Sequence, residues 1–556
     1  MTRIIVKYTL FIIMVIYSNL ALAKETAPLF DHLGQFHHAI NTKNPLAQRY
    51  FDQGLVLFYS FEYGESIRSF KAAIKTDPEC AMCYWGLALA LGSKTDMPLN
   101  GHELTDATSA IHSAMEKVDK QNLSEKLYIA ALAERYTDLS PQKMDEFAGL
   151  CSSYSGVTGS NAKKYADAMK KVSLMLPDDA DAKTLYAASL FDLAEWNFWN
   201  QNGSPNAYTL QTIQALESAF KQDKNNPGAN HLYVHIIESS PNPEKALPNA
   251  EQLSKLVPDS EHLAHMPCHI FYTMGRYHDA TIANQNAIKL YKNYVKACQK
   301  QGFLPETQYL YFHNYDYLVT AASMEGRKQL SIAAADELAK EIYPYVEMTP
   351  ALQKNLTDQY HMRVRFGEWN AILKMPAPLK QFQYDLGIWH YARGVAEINL
   401  NQIDAAKNDL TQLQMLIKQG PVNESLGQFG ITLLTIAANS LNGLLMHAMN
   451  DDKHALEQFK AAVKLQDTLL SADPPPWPFP TRQLLGSFLL KINHVNEAKV
   501  VFLDDLKKHP NNGWSLYGLA EVYRKLGHKK EAEHIDKQFK KAWQYSDIPV
   551  PTSLLK

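Results

Sequence analysis

The stretch that decides the fold of this chain is FEYGESIRSFKAAIKTDP, at residues 61–78. Its apolar residues recur every three or four positions, which predicts an amphipathic helix that ends at Asp77-Pro78. The same sequence pattern recurs as GRYHDATIANQNAI at residues 275–288 and as FGEWNAIL at residues 366–373. Each copy starts with a turn and continues into a helix, so the pattern predicts a chain of repeated helical units.

The copies share a small or apolar residue near the start of the helix, where two helices can pack closely, and we call this residue the anchor. The clearest anchors are Ala246, Ala280, Ala406, Ala498 and Ala532, and the weaker ones are Ser66, Ser331, Ile372 and Ala455. Ala246 to Ala280, Ile372 to Ala406 and Ala498 to Ala532 each span 34 residues, the period of the tetratricopeptide (TPR) repeat. The chain therefore resembles the TPR family, which implies an all-α helix-turn-helix solenoid, here with irregular repeats.

Five longer sequence segments indicate a second resemblance. They are YFDQGL at 50–55, CAMCYWGLALA at 80–90, NHLYVH at 230–235, HLAHMPCHI at 262–270 and PPPWPFP at 474–480. Together they are similar to a bacterial family of exported, uncharacterised TPR proteins. This resemblance again implies a helical solenoid and brings no activity with it.

The N-terminus reads as a secretory signal over residues 1–23. Arg3 and Lys7 precede an apolar run, and Ala21-Leu22-Ala23 has the pattern of a cleavage site. An uncleaved anchor is the alternative, but the run is shorter than the roughly 20 residues needed to span a bilayer. We expect a periplasmic or secreted protein. We also expect no membrane span after signal cleavage, because no later segment reads as sufficiently apolar.

The rest of the chain is expected to form one continuous array without a clean domain boundary. We divide it into an N-terminal and central array over 24–345, continuing helices over 346–473, and a proline-rich connector with C-terminal repeats over 474–556. Softer divisions fall near Pro344–Pro350 and at the proline run, and Gly149–Ser160 reads as a loop. The net charge is −3 and the basic residues are scattered, which argues against a nucleic-acid partner.

The chain has five cysteines. Cys80 and Cys83 form a C-x-x-C pair without the following His of a haem attachment site and without a βαβ pattern. A local disulfide and a pair of packing cysteines both remain open, and a metal role is the minor alternative. Cys268 lies beside several histidines, where packing is favoured over a role as nucleophile or soft ligand.

Histidines gather at fixed distances before four consecutive anchors. In a TPR repeat the first helix lines the concave surface, and offsets of 8, 11, 15 and 18 residues before the anchor lie on one stripe of that helix. The residues on this stripe are His231, His235 and Glu238 before Ala246, then His262, His265 and His269 before Ala280, with His313 and Asp316 before Ser331 and His361 before Ile372. Asp316 and His361 are the weakest members.

This stripe predicts a transition-metal site formed by His231, His235, Glu238, His262, His265, His269 and His313. Two histidines at i and i+4 on a helix can share one cation, and nitrogen-rich ligation suits Zn, Cu or Fe. The function would be metal capture or metal-dependent chemistry. The alternative is a TPR scaffold without metal, in which the concave groove binds a protein or peptide. No catalytic motif is recognisable, so the catalytic residues are unknown and it stays open whether the chain is an enzyme.

Two local questions remain open in the sequence. Pro267 either lies in the first turn of its helix, where proline is tolerated, or interrupts a helix that begins near Asp259-Ser260. His37 and His38 are expected to belong to a solvated terminus, with a lid over the main site as the minor alternative.

Overall fold

The computed structural model describes residues 27–92, 101–137, 160–200, 202–301, 309–420, 426–469, 474–551 and 554–555. Over these ranges the chain is α-helical with short 3-10 turns and contains no strand, apart from an isolated bridge between Trp199 and Pro205. The all-α, TPR-type helix-turn-helix fold expected from the repeats is confirmed. The expected signal peptide, and the expected loop at Gly149–Ser160 up to its last residue, lie outside the described residues.

The α-helices are numbered here in chain order over the described residues. They are α1 Pro45–Tyr59, α2 Tyr63–Thr76, α3 Ala81–Leu91, α4 Gly101–Lys117, α5 Leu123–Ala133, α6 Ser160–Met175, α7 Ala180–Ala194, α8 Thr209–Gln222, α9 Pro227–Glu238, α10 Leu247–Leu256, α11 Glu261–His265, α12 Pro267–Thr273, α13 Tyr277–Lys300, α14 Tyr309–Met324, α15 Lys328–Ile342, α16 Gln353–Leu356, α17 Asp358–Arg365, α18 Trp369–Lys374, α19 Gln383–Asn399, α20 Ile403–Gln419, α21 Gly427–Ala448, α22 Asp452–Gln466, α23 Thr481–Lys491, α24 Val495–Lys508, α25 Gly513–Lys525 and α26 Lys529–Ala542. Short 3-10 helices lie at Glu134–Tyr136, Pro243–Ala246, Tyr343–Tyr345 and Pro350–Leu352.

The chain forms two compact units. The first contains the residues up to Pro267 together with Asn286–Leu310, and the second contains Cys268–Gln285 together with Tyr311–Lys556. Both softer divisions expected from the sequence, at Pro344–Pro350 and at the proline run, fall inside the second unit. The three segments proposed from sequence stay a prediction.

The anchors occupy one structural position. All nine are buried, and eight of them are the fourth residue of an α-helix, as Ser66 is in α2 and Ala406 is in α20. At two of these positions the anchor hydroxyl donates to a backbone carbonyl of the preceding helix, Ser66 to Gly54 at 2.6 Å and Ser331 to Val319 at 2.9 Å. The anchor is small or apolar because the two helices of a repeat meet there.

The turn before the anchor has the same backbone conformation in most repeats. In eight repeats the residue five positions before the anchor has a positive φ, in the left-handed region that glycine and asparagine adopt most readily. Seven of these residues are glycine or asparagine: Gly275, Gly326, Gly367, Asn401, Asn450, Asn493 and Gly527. The eighth is Phe61, with φ of 59°. A bulky side chain at that position costs on the order of 1 kcal/mol, which requires a compensating contact.

Pro267 separates two helices. Helix α11 begins after Ser260, whose hydroxyl accepts from the backbone N–H of Leu263 at 3.2 Å, and it ends at His265. Pro267 is the first residue of α12, where its missing N–H is tolerated. The structure therefore combines the two alternatives, since a cap at Ser260 starts one helix and the proline starts the next.

Helix α21 is long and apolar enough to cross a bilayer by length and composition, so the expectation that no later segment is sufficiently apolar is wrong. The expectation that no segment spans a membrane after signal cleavage stays a prediction. The most apolar window of α21 is 61% buried inside the protein, and its apolar residues Leu434 and Leu441 lie against Gly387 and Gly394 of α19. Core helices of this kind are apolar because neighbouring helices surround them.

Candidate metal centre

Three imidazole rings of the first unit converge on one point. The Nε2 atom of His231 lies 3.0 Å from Nε2 of His262 and 3.1 Å from Nε2 of His235. One ligand atom from each of the three histidines falls within 4.8 Å of the others. His231 and His262 are buried, and the side chain of His235 is nearly so. The three nitrogens therefore face one another in a space largely shielded from solvent.

The partners of the Nδ1 atoms indicate which nitrogen carries the proton in two of these rings. His231 Nδ1 lies 2.6 Å from the carbonyl oxygen of Tyr59, which can only accept, so Nδ1 carries the proton. His235 Nδ1 lies 3.3 Å from Glu238 Oε1, a carboxylate oxygen that likewise accepts when ionised. If both rings are neutral, each Nε2 atom then carries a lone pair, and the two lone pairs face each other across 3.1 Å. Two lone pairs at this distance repel unless a cation or a proton lies between them.

Two helix starts position the three rings. Asn226 caps α9 by accepting from the backbone N–H of Ala229, and Pro227 is its first residue, so His231 and His235 project one turn apart. Gly228 allows this helix to approach α1 closely, because a Cβ at residue 228 would lie 2.5 Å from the Tyr59 ring. His262 is the second residue of α11, after the cap at Ser260.

Two aromatic rings cover the three histidines. The Phe61 ring centroid lies 4.4 Å from that of His231, 5.5 Å from that of His262 and 5.9 Å from that of His235. Trp196 lies edge-on to His235 at 5.0 Å. Trp196, like Phe61, has a positive φ, of 61°. Both residues that enclose the rings therefore hold a backbone conformation that is unfavourable for their side chains.

A buried hydrogen-bond network holds Tyr59 in place. The Tyr59 hydroxyl donates to Asp181 at 2.8 Å, and Asp181 also contacts His38 Nδ1 at 2.8 Å and accepts from Asn226 at 2.7 Å. Burial lowers the pKa of His38, but the hydrogen bond and charge of Asp181 raise it more, so the net shift is upward. Burial raises the pKa of Asp181, and the hydrogen bond and charge of His38 lower it more.

The expected solvated terminus is thus wrong for His38, whose side chain is only 13% exposed. The ion pair with Asp181 draws it into the first unit. His37, in contrast, is exposed and pairs with Asp52 at 2.8 Å.

The remaining histidines of the predicted metal site are divided between the two units. His265 belongs to the first unit, is buried, and stacks with His262 at 5.8 Å between ring centroids. In the second unit His269 Nδ1 lies 3.1 Å from the Tyr317 hydroxyl, and the His269 and His313 rings are 5.8 Å apart. Whether these three histidines bind metal stays a prediction.

The two weakest members of the stripe have structural partners in the second unit. Asp316 accepts from Lys354 at 2.6 Å and from Asn355 at 2.8 Å. His361 packs edge-on against Trp477 of the proline run at 4.7 Å. An ion pair and an aromatic core contact account for these two residues.

Cys80, Cys83 and Cys268 have structural roles, as a disulfide or in packing. Cys80 and Cys83 are joined as a disulfide in the structure, at the start of α3. Cys268 is buried, in keeping with the favoured packing role. Cys151 lies outside the described residues.

Sequence reasoning missed Tyr59, Phe61 and Trp196. Tyr59 acts through its carbonyl, which leaves no trace in the sequence, and Trp196 belongs to no repeat position. Phe61 did carry a signal, because the equivalent residue before other anchors is glycine or asparagine.

Comparisons with known proteins leave the activity open. No protein-family model matches the chain, and no curated protein matches it. Among solved structures, the human IFIT1 dimer with m7Gppp-AAAA is similar at 14% identity and a TM-score of 0.35, over 90% of this chain and 91% of that one. Yeast Tom70 is similar at 13% identity and a TM-score of 0.30, over 89% of this chain and 92% of that one. The APC/C hetero-tetramer Cut9–Hcn1 is similar at 11% identity and a TM-score of 0.29, over 90% of this chain and 88% of that one. Likenesses this remote assign neither a partner nor a ligand.

Proposed function

We propose that this TPR-type protein binds a transition-metal ion in its first unit, through the Nε2 atoms of His231, His235 and His262. The observation that carries the proposal is the approach of His231 Nε2 to within 3.0 and 3.1 Å of two other imidazole nitrogens. A cation between the rings would be ligated by these nitrogens and would remove the repulsion between facing lone pairs. Three protein nitrogens leave a fourth position for water or another ligand.

The spacing of the nitrogens supports this assignment. Zinc–nitrogen bonds of about 2.0–2.1 Å in a tetrahedral site place two ligand nitrogens about 3.3 Å apart. The separations of 3.0 and 3.1 Å lie close to that value. Zn and Cu are the best candidates and Fe is a further one, because imidazole ligation suits all three.

Residues around the three histidines would act as positioning residues. Metal-bound histidines usually donate their second ring N–H to a carboxylate or a backbone carbonyl. Glu238 and the Tyr59 carbonyl are in those positions for His235 and His231. We therefore assign Glu238 to orienting His235, which refines its expected role as a ligand.

The first test is the metal content of untagged protein. We expect near-stoichiometric transition metal by elemental analysis, and its loss in His231→Ala and in His262→Ala. His112→Ala, which changes an exposed histidine of the same unit, should keep the metal. A metal-free preparation that gains no thermal stability from Zn or Cu would refute the proposal and leave a protein- or peptide-binding scaffold as the function.

Glu238→Gln tests the positioning role separately. Loss of an orienting partner typically weakens metal affinity 10- to 100-fold, so we expect a reduction of about that size by competition with a chelator of known affinity. An unchanged affinity would show that Glu238 does not orient His235, while the metal assignment itself would stand or fall on the histidine variants.

A further inference from the structure

A cavity of about 210 Å³ lies in the first unit, separate from the three imidazole rings. Its lining includes the apolar residues Phe30, Leu33, Leu57 and Leu290. The volume is far above the roughly 10–15 Å³ that one water molecule needs. The space is therefore large enough for a small organic molecule, and we call it the acidic cavity for its acidic lining residues.

Those residues are four carboxylates: Glu62, Glu65, Asp259 and Glu261. No lysine or arginine is among the described residues that line the cavity. Glu62 already serves the protein, since it accepts from the Ser260 hydroxyl at 2.6 Å at the start of α11. The lining thus combines carboxyl groups with apolar side chains, and burial raises the pKa of Glu62 to about 7.

Glu65 is the residue that points to a ligand. It is only 4% exposed. Its Oε2 atom accepts from Arg68 Nη1 and from the Tyr294 hydroxyl, both at 2.7 Å. Its Oε1 atom is buried and has no hydrogen-bond partner among the described residues. A buried carboxylate oxygen without a donor is costly, so a donor that enters the cavity would satisfy it.

The chemistry of that donor follows from the walls. A calcium ion requires six to eight oxygen ligands, whereas Glu62 Oε1 and Glu65 Oε2 already accept hydrogen bonds from the protein, and Leu57 and Leu290 offer none. A neutral alcohol would donate an uncharged hydrogen bond to Glu65, which is about half as strong as one from a charged donor. An alkyl chain with a positively charged N–H donor at its end suits both kinds of lining residue, because the chain packs on the leucines and the charged donor meets the carboxylate.

We propose that the acidic cavity binds a small aliphatic ammonium ion. Its N–H donates to Glu65 Oε1, and its alkyl chain packs against Leu57 and Leu290. This site does not depend on the proposed metal, because none of the three imidazole rings is among the residues that line the cavity.

The test is isothermal titration calorimetry of the full chain with butan-1-amine at pH 7.5, compared with butan-1-ol and with calcium chloride. We expect one amine per chain and much weaker binding of the alcohol and of calcium. Glu65→Gln should weaken amine binding roughly 10- to 100-fold, the usual effect of a lost charged hydrogen bond. Glu116→Gln, an exposed glutamate of the same unit, should bind like the wild type.

Because Glu65→Gln also removes the ion pair with Arg68, a second variant tests the cavity without changing charge. Ala297 lines the cavity, and Ala297→Phe should fill it and abolish binding while the helical circular dichroism is kept. The proposal is overturned if the amine does not bind, if butan-1-ol binds as tightly, or if Ala297→Phe binds like the wild type. His231→Ala should retain amine binding, which separates this result from the metal experiment.

Discussion

Phe61 is the residue at which the repeat pattern and the candidate site meet. Its equivalents before seven other anchors are glycine or asparagine, whereas its own ring contacts all three histidines of the site. The strain of its left-handed backbone is offset by these contacts. A residue in such a conformation is best explained by what its side chain touches.

Replacing Phe61 by alanine and by glycine separates these two effects. Both changes remove the ring, which costs about 3–5 kcal/mol for a buried phenylalanine. Glycine alone also removes the left-handed strain, so Phe61→Gly should be about 1 kcal/mol more stable than Phe61→Ala. Urea unfolding of the two variants measures the difference.

Asn493 provides the matched control, because it has the same conformation and belongs to the second unit. Asn493→Gly and Asn493→Ala should differ in the same direction, while metal affinity stays that of the wild type. Equal stabilities for the two Phe61 variants would show that the backbone at this turn is not strained.

At the scale of the helical element, the anchor determines how closely two helices pack. Ala405 and Ala406 are neighbours in α20, and only Ala406 is buried. We expect Ala406→Leu to lower the free energy of unfolding by about 1–3 kcal/mol through overpacking. Ala405→Leu should change it by less than about 0.5 kcal/mol. Thermal or urea unfolding of the pair tests this, and equal effects would mean that the register of α20 is wrong.

The sequence predicted this register well because spacing and small residues are local signals. The same offsets brought His231, His235 and His262 together as candidates. They did not separate His265 from His269, because Pro267 starts a new helix between them. Nor could they find the Tyr59 carbonyl or Glu65, since a backbone acceptor and a cavity arise only from tertiary packing.

At the scale of the whole molecule, the stability of the second unit should depend on pH through His361. Burial, aided by the charge of Lys354, lowers the pKa of His361 to about 3. The unfolded chain binds a proton there below about pH 6.5, whereas the folded chain does not, so stability falls as the pH drops from about 6.5 towards 3. The loss between pH 6.5 and 4.5 is roughly 2 kcal/mol.

His361→Phe keeps an aromatic ring against Trp477 and removes this titration. We expect the variant to lose less stability than the wild type when urea unfolding is compared at pH 7.5 and pH 4.5. His534→Phe, at an exposed position of α26, should follow the wild type. If both variants lose stability in parallel with the wild type, His361 does not contribute to acid sensitivity.

The left-handed turns affect how a repeat protein can gain a binding site. In a duplicated array each copy contributes its own share of stability, and the shares add along the chain. A cost of about 1 kcal/mol at one turn is a large fraction of the 5–15 kcal/mol that stabilises a single domain. Spread over many copies it is small, so one repeat can specialise, as the repeat of Phe61 does, while seven others keep the unstrained turn.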